Sequence, residues 1–176
     1  ATAVYDGVDC VMLSGETAVG EYPVMAVSMM RKVILHTEED PFYKKSMDVI
    51  SLPADPLVAS AITSAVPTMA KVLENAACVV TYSLSGATAL RVARQRTTIP
   101  TLNLTCTDEV MRKLTLAWGV YSVKTELLSE LNQVIPVARQ TAAEKGLAHK
   151  GEALIITAGM PIAEKGNTNV LHIALV

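Results

Sequence analysis

Residues 77–88, Ala77-Cys78-Val79-Val80-Thr81-Tyr82-Ser83-Leu84-Ser85-Gly86-Ala87-Thr88, form an aliphatic run that breaks into hydroxyl residues and a glycine where an amphipathic stretch begins. The run over 77–82 reads as a strand and 86–96 as a helix, joined by a short loop. The pattern repeats downstream. Strands are predicted over 101–105, 120–124 and 153–157. A helix over 108–118 is closed by Gly119, and one over 129–145 carries Pro136 and is closed by Gly146. Strands alternating with helices pair in parallel and place helices on both faces of the sheet. Only 158–169 separates the fourth strand from a fifth over 170–176, and that span has no helical period. The last strand is therefore expected antiparallel, at an edge. The prediction is an α/β fold: a three-layer α/β/α domain on a mostly parallel five-stranded sheet.

Upstream of this domain, Asp55 reads as a helix cap and Pro56 as a first helical residue. Val58, Ile62, Ala65, Val66, Met69 and Leu73 then repeat on one face of a helix that Pro67 should kink. Residues 40–56 carry three prolines and no period, which reads as a connector. At the N-terminus, 1–5 resembles the tail of a helix and Asp6-Gly7 a turn. Residues 8–13 are read as a strand, and Pro23 opens a helix with Val27, Met30 and Ile34 on one face. Met25, Met29 and Met30 read as helix-face packing. Residues 1–40 are thus one βα unit, 41–55 a linker and 56–176 the α/β domain. A chain that opens inside a helix is expected to be the later part of a longer one.

Composition narrows the function classes. Among 176 residues, 15 Lys+Arg stand against 17 Asp+Glu, a formal charge of −2. With a pI near 5.9, the chain lacks the basic excess of a nucleic-acid binder or a polybasic membrane anchor. At 51% hydrophobic and 18% charged, it can bury a core. Cys10, Cys78 and Cys106 have no metal spacing and an odd total, and read as small buried hydrophobes of a reducing cytoplasm. No apolar run is long enough to span a bilayer, and no secretory leader is evident.

Chemistry is expected beyond the carboxyl ends of the strands, where helix starts present free N–H groups. Ser83, Ser85, Gly86, Ala87 and Thr88 lie at such a point, and a phosphate suits their hydroxyls and backbone. The alternative is that Ser85 caps the helix and Gly86 makes the turn. A second loop, 158–169, opens on the same edge. Lys165, Asn167 and Thr168 supply donors there, unless the loop is only a polar hairpin connection. Ser14, Glu16 and Thr17 follow the first predicted strand, where Glu16 could equally cap the next helix. His36, His149 and His172 make no ligand spacing, so no metal site is expected. Arg91, Arg94 and Arg96 read as a solvated helix face.

The stretch Asp6-Gly7-Val8-Asp9-Cys10-Val11-Met12-Leu13-Ser14-Gly15-Glu16-Thr17-Ala18, with Gly20-Glu21-Tyr22-Pro23 and Ala26-Val27, closely resembles the last βα unit of the pyruvate kinase TIM barrel. Ser85-Gly86-Ala87-Thr88-Ala89, Val92-Ala93-Arg94, Trp118-Gly119-Val120, Lys150-Gly151-Glu152 and Thr168-Asn169 resemble the same family's C-terminal domain. Trp118-Gly119-Val120 and Ala158-Gly159-Met160-Pro161 look bacterial in style.

The resemblance implies a cytoplasmic glycolytic phosphotransferase converting phosphoenolpyruvate and ADP to pyruvate and ATP. It further implies Mg2+ and K+ as cofactors and a homotetramer. The family's catalytic lysine, metal carboxylates and phosphate-contacting arginine lie on barrel strands this sequence does not include, so the chain alone is expected to be inactive. Ser14 matches the serine proposed to relay a proton. Ser83, Ser85, Gly86, Ala87, Thr88, Lys165, Asn167 and Thr168 fall in loops that grip the phosphate of an allosteric effector. Leu84 and Ala87 replace basic residues frequent there, and the second loop lacks an arginine of bisphosphate-activated members. A sugar monophosphate or AMP is therefore favoured over fructose 1,6-bisphosphate. The competing readings are a stand-alone phosphate-sensing module and a structural domain for subunit contacts.

Overall fold

Alternation along five short aliphatic strands builds the larger of two units. The computed structural model describes residues 1–49, 55–162 and 167–176, and the chain divides into Ala1–Leu52 and Pro53–Val176. In the second unit the elements run α5 (Val58–Val72), β1 (Ala76–Tyr82), α6 (Ala87–Arg94), β2 (Thr101–Thr105), α7 (Asp108–Leu114), β3 (Val120–Lys124), α8 (Leu131–Glu144), β4 (Ala153–Gly159) and β5 (Thr168–Leu175). The sheet order is β3-β2-β1-β4-β5. Neighbours among β1–β4 pair in parallel, and β5 runs antiparallel to β4 at the edge, as the missing crossover helix required.

Successive strand residues point to opposite faces, so each strand feeds two cores. Cys78, Val80 and Tyr82 join Leu102, Leu104, Leu154 and Ile156 beneath Val134, Ala138 and Ala142 of α8. Val79 and Ile155 face Val66 of α5 and Val92 of α6. Ala89 of α6 packs with Val110 and Leu114 of α7. The result is the three-layer arrangement expected from the alternation. Within the second of these faces lies a polar row: Thr81 Oγ1 donates to Asn103 Oδ1 at 2.8 Å, and Asn103 Nδ2 donates to Ser122 Oγ at 2.9 Å. Bonding across β1, β2 and β3 satisfies side chains that would otherwise be costly to bury.

Helix limits depart from the sequence reading where capping competes. Asp55 and Pro56 do not open α5: Leu57 N–H donates to the Asp55 carbonyl at 2.7 Å, a turn, and Leu57 is the N-cap. Pro67 lies inside α5. Helix α7 ends at Leu114, short of Gly119, and Gly119 (φ +68°) instead turns the chain into β3. Helix α8 starts at Leu131 because Glu130 and Gln133 form a reciprocal capping box.

The first unit holds α1 (Thr2–Tyr5), α2 (Gly15–Ala18), α3 (Pro23–Glu39) and α4 (Pro41–Val49). Residues 8–13, read as a strand, form none: a strand is defined by a ladder, and no described segment pairs with them. The aperiodic stretch after residue 40 is not all connector, since α4 occupies its first half. Asp40 explains it. Its Oδ1 accepts the N–H of Phe42 at 2.8 Å and its Oδ2 accepts the hydroxyl of Tyr5 at 2.7 Å, making an N-cap followed by proline.

Candidate functional site

Strand β1 ends at Tyr82, and the chain must turn before α6 can begin. Ser83 makes that turn: buried, it accepts the Gly86 N–H on its Oγ at 3.0 Å. Gly86 is the N-cap, at φ +79°, a conformation that disfavours any side chain. A Cβ there would also lie 3.2 Å from Val110 Cγ1. The helix is therefore not capped by Ser85, which stands exposed.

Proton counting shows what this loop can still offer. Thr88 Oγ1 and Thr168 Oγ1 lie 2.6 Å apart, both buried, joining α6 to the start of β5. Each hydroxyl carries one proton, so one bridges the pair and the other is left to donate elsewhere. Ser83 spends a lone pair on Gly86 and keeps its own proton. Ser85 Oγ and the N–H groups of Ala87 and Thr88, in the first helical turn, have no partner among the described residues. Five donors are left there, three hydroxyl protons and two amides, and the helix start adds partial positive charge.

These groups line a cleft with Tyr82, Gly159, Ile162 and Asn167. Its free volume is about 20 Å³, room for one water-sized group. Asn167 Nδ2 spends one of its two protons on the Met160 carbonyl at 2.9 Å. Asn169 completes this clamp, with Nδ2 donating to the same carbonyl at 2.8 Å and Oδ1 accepting the Met160 N–H at 2.7 Å. Lys165 lies outside the described residues. The structure thus gathers Ser83, Ser85, Gly86, Ala87, Thr88 and Thr168 at the cleft, with Asn167 lining it as well.

Ser14 belongs to the other unit. It stands exposed before α2, its N–H donating to Glu16 Oε2 at 3.0 Å and its carbonyl accepting the Thr17 hydroxyl at 3.2 Å. Hydrogen bonds from the backbone N–H groups of Glu16 itself and of Ser14 hold the Glu16 carboxyl below its ordinary range. Three other readings need correction. Cys10 is exposed, whereas Cys78 is buried and its thiol is pushed up to about 12 by desolvation. Met25 and Met29 are exposed rather than packed. Arg96 is not on the helix face: it lies beyond α6 at φ 49°, with its guanidinium 4.9 Å from the centre of the Trp118 ring.

Among the described residues, no three His, Cys, Asp or Glu side chains are placed to hold a metal ion. No described helix is long and apolar enough to cross a membrane.

Similarity to known proteins agrees with both units. The profile of the pyruvate kinase alpha/beta domain matches residues 60–174, and that of the pyruvate kinase barrel domain matches residues 1–27. A pyruvate kinase of Agrobacterium vitis is 38% identical over 98% of this chain and 36% of its own length. One of Geobacillus stearothermophilus is 36% identical over 100% of this chain and 30% of its own. The crystal structure of a pyruvate kinase from Cryptosporidium parvum superposes with a TM-score of 0.87 at 31% identity, covering 99% of this chain and 34% of that one. The chain spans about a third of the length of these relatives. With its five-stranded sheet and both profiles matched in order, the chain belongs to the pyruvate kinase family.

Proposed function

We propose that this chain is the effector-binding portion of a cytoplasmic, homotetrameric pyruvate kinase, which transfers phosphate from phosphoenolpyruvate to ADP with Mg2+ and K+. Phosphoryl transfer depends on positioned cations and charge neutralisation, and the described residues supply no metal-binding set for it. Ser14 would contribute its hydroxyl to proton delivery only beside catalytic groups supplied by the rest of the barrel. What this chain does by itself is hold a phosphate monoester.

The observation that carries this reading is the cluster of unspent donors at the start of α6. A phosphate brings acceptors alone, so it satisfies the spare protons of Ser83 and the Thr88–Thr168 pair together with the amides of Ala87 and Thr88. Because the cleft admits one water-sized group, a single phosphoryl oxygen enters it. The remaining oxygens rest at the mouth, beside Ser85, and Lys165 is proposed as a further contact to the phosphate.

The test uses the 176-residue chain. It should transfer no phosphate to ADP, while ribose 5-phosphate or AMP at 100 times its dissociation constant should add about 2.7 kcal/mol of stability and raise Tm on the order of 5–10 °C. Measurable turnover would overturn the first part. A second reading, a structural domain for subunit contacts, draws on the tightness of the cleft, and an unchanged Tm at millimolar ligand would select it.

A further inference from the structure

Ser14 occupies the N-cap of α2, where a serine ordinarily turns its hydroxyl back to a free N–H of the first helical turn. Its side chain makes no such bond. The carboxylate two residues on takes its place: Glu16 Oε2 accepts the Ser14 N–H at 3.0 Å, and the same carboxylate accepts the N–H of Glu16 itself. The other side of the serine is held as well. Thr17 Oγ1 donates to the Ser14 carbonyl at 3.2 Å, and the N–H groups of Thr17 and Ala18 reach the same oxygen at 3.2 and 3.0 Å. Gly20 closes the turn at its far end. Its N–H donates to the Gly15 carbonyl at 2.9 Å, and a Cβ there would lie 2.6 Å from the Glu16 carbonyl oxygen.

The two side chains therefore divide the work. Neighbours engage both the N–H and the C=O of Ser14, which fixes the direction of its Cα–Cβ bond, while the exposed hydroxyl keeps its proton and both lone pairs. Glu16 is an ionised carboxylate receiving two N–H bonds at the positive end of a helical turn, so it has no proton to give. Of the pair, only the serine can carry one.

We propose that Glu16 is a positioning residue for the pyruvate kinase reaction: by capping α2 in place of Ser14, it releases the serine hydroxyl and aims it for proton delivery to the enolate. This rests on the reading of Ser14 as the proton-delivering group. Without the carboxylate, the N–H at position 16 loses its acceptor, and the Ser14 hydroxyl is the group placed to replace it. With glutamine, an amide oxygen still accepts, and the cap outlives the loss of charge.

The 176-residue chain gives a readout that needs no catalysis. In Glu16→Ala the Ser14 amide should exchange with solvent deuterium about threefold to tenfold faster, and in Glu16→Gln within about twofold of the parent rate. In the full-length enzyme that carries this segment, Glu16→Ala should lower kcat about tenfold to a hundredfold and leave the KM for phosphoenolpyruvate within about twofold. Exchange of solvent protons into the methyl group of pyruvate should slow by the same factor as kcat. Glu16→Gln should recover all but about threefold of that loss. Added to Ser14→Ala, Glu16→Ala should cost nothing more, because it acts only through the serine. An unchanged amide exchange or kcat in Glu16→Ala, a loss in Glu16→Gln as large as in Glu16→Ala, or a further loss in the double variant would overturn the proposal. Unaltered activity in Ser14→Ala would instead overturn the reading of Ser14 beneath it.

Discussion

Helices α3 and α8 are both rich in aliphatic residues, yet their surroundings are opposite. Val24, Met25, Val27 and Met29 of α3 are 77%, 68%, 53% and 60% exposed, whereas Val134, Ala138 and Ala142 of α8 are each 0% exposed. Periodicity locates a helix and its apolar stripe, but burial needs a facing surface. Under α8 that surface is the β1, β2 and β4 face of the sheet. Residues 8–13, whose composition would suit a similar surface, pair with no described strand.

The sharpest way to break this comparison is a pair of truncations. Ile156→Ala, at a fully buried position beneath α8, should cost about 2–5 kcal/mol in urea unfolding, while Met25→Ala should stay within about 0.5 kcal/mol. Equal costs would mean that α3 is packed in solution. A smaller contrast lies in two glycines. Gly86→Ala forces a side chain into a left-handed residue 3.2 Å from Val110 and should cost about 1–2 kcal/mol. Gly15→Ala, in α2 with nothing within 4 Å, should be neutral or stabilising by up to about 1 kcal/mol.

The smallest effects are electrostatic. Asp40 and Asp108 both have carboxyl pKa values below the ordinary 3.8, Asp40 chiefly through the Tyr5 hydroxyl and Asp108 through Lys124. A carboxyl depressed on folding contributes stability above its unfolded value, and that contribution disappears as pH falls through the folded one. Both contributions should therefore fade below about pH 4. Because Asp40 is held mainly by a neutral donor and Asp108 by an exposed cation, salt should weaken only the second. Acid titrations of Asp40→Asn and Asp108→Asn at low and high salt check this, each variant removing its own component of the pH slope.

The two Asp-Pro pairs show how far local reading reaches. Asp40-Pro41 and Asp55-Pro56 carry the same cap-and-proline signal, and only the first opens a helix at once. Its carboxylate is held by Tyr5, 35 residues away, while the second pair turns and the helix begins two residues later. In the same way, β2 and β3 match the aliphatic runs over 101–105 and 120–124, because those runs are bounded by Pro100, Cys106, Gly119 and Thr125. The start of α8 was less legible: the sequence reading put it at residue 129, and the reciprocal bonds of Glu130 and Gln133 move it to Leu131.

Alternating pattern, glycine position and a missing crossover helix were enough to specify a parallel sheet with an antiparallel edge, since these preferences act over a few residues. Which donors remain for a ligand was settled only by folding. Ser83 satisfies Gly86 within one turn, but Thr88 meets Thr168 across 80 residues and Ile162 joins two cavities walled by α6, α8 and β4. A hydrogen bond depends on distance in space, and sequence spacing constrains that distance only for near neighbours.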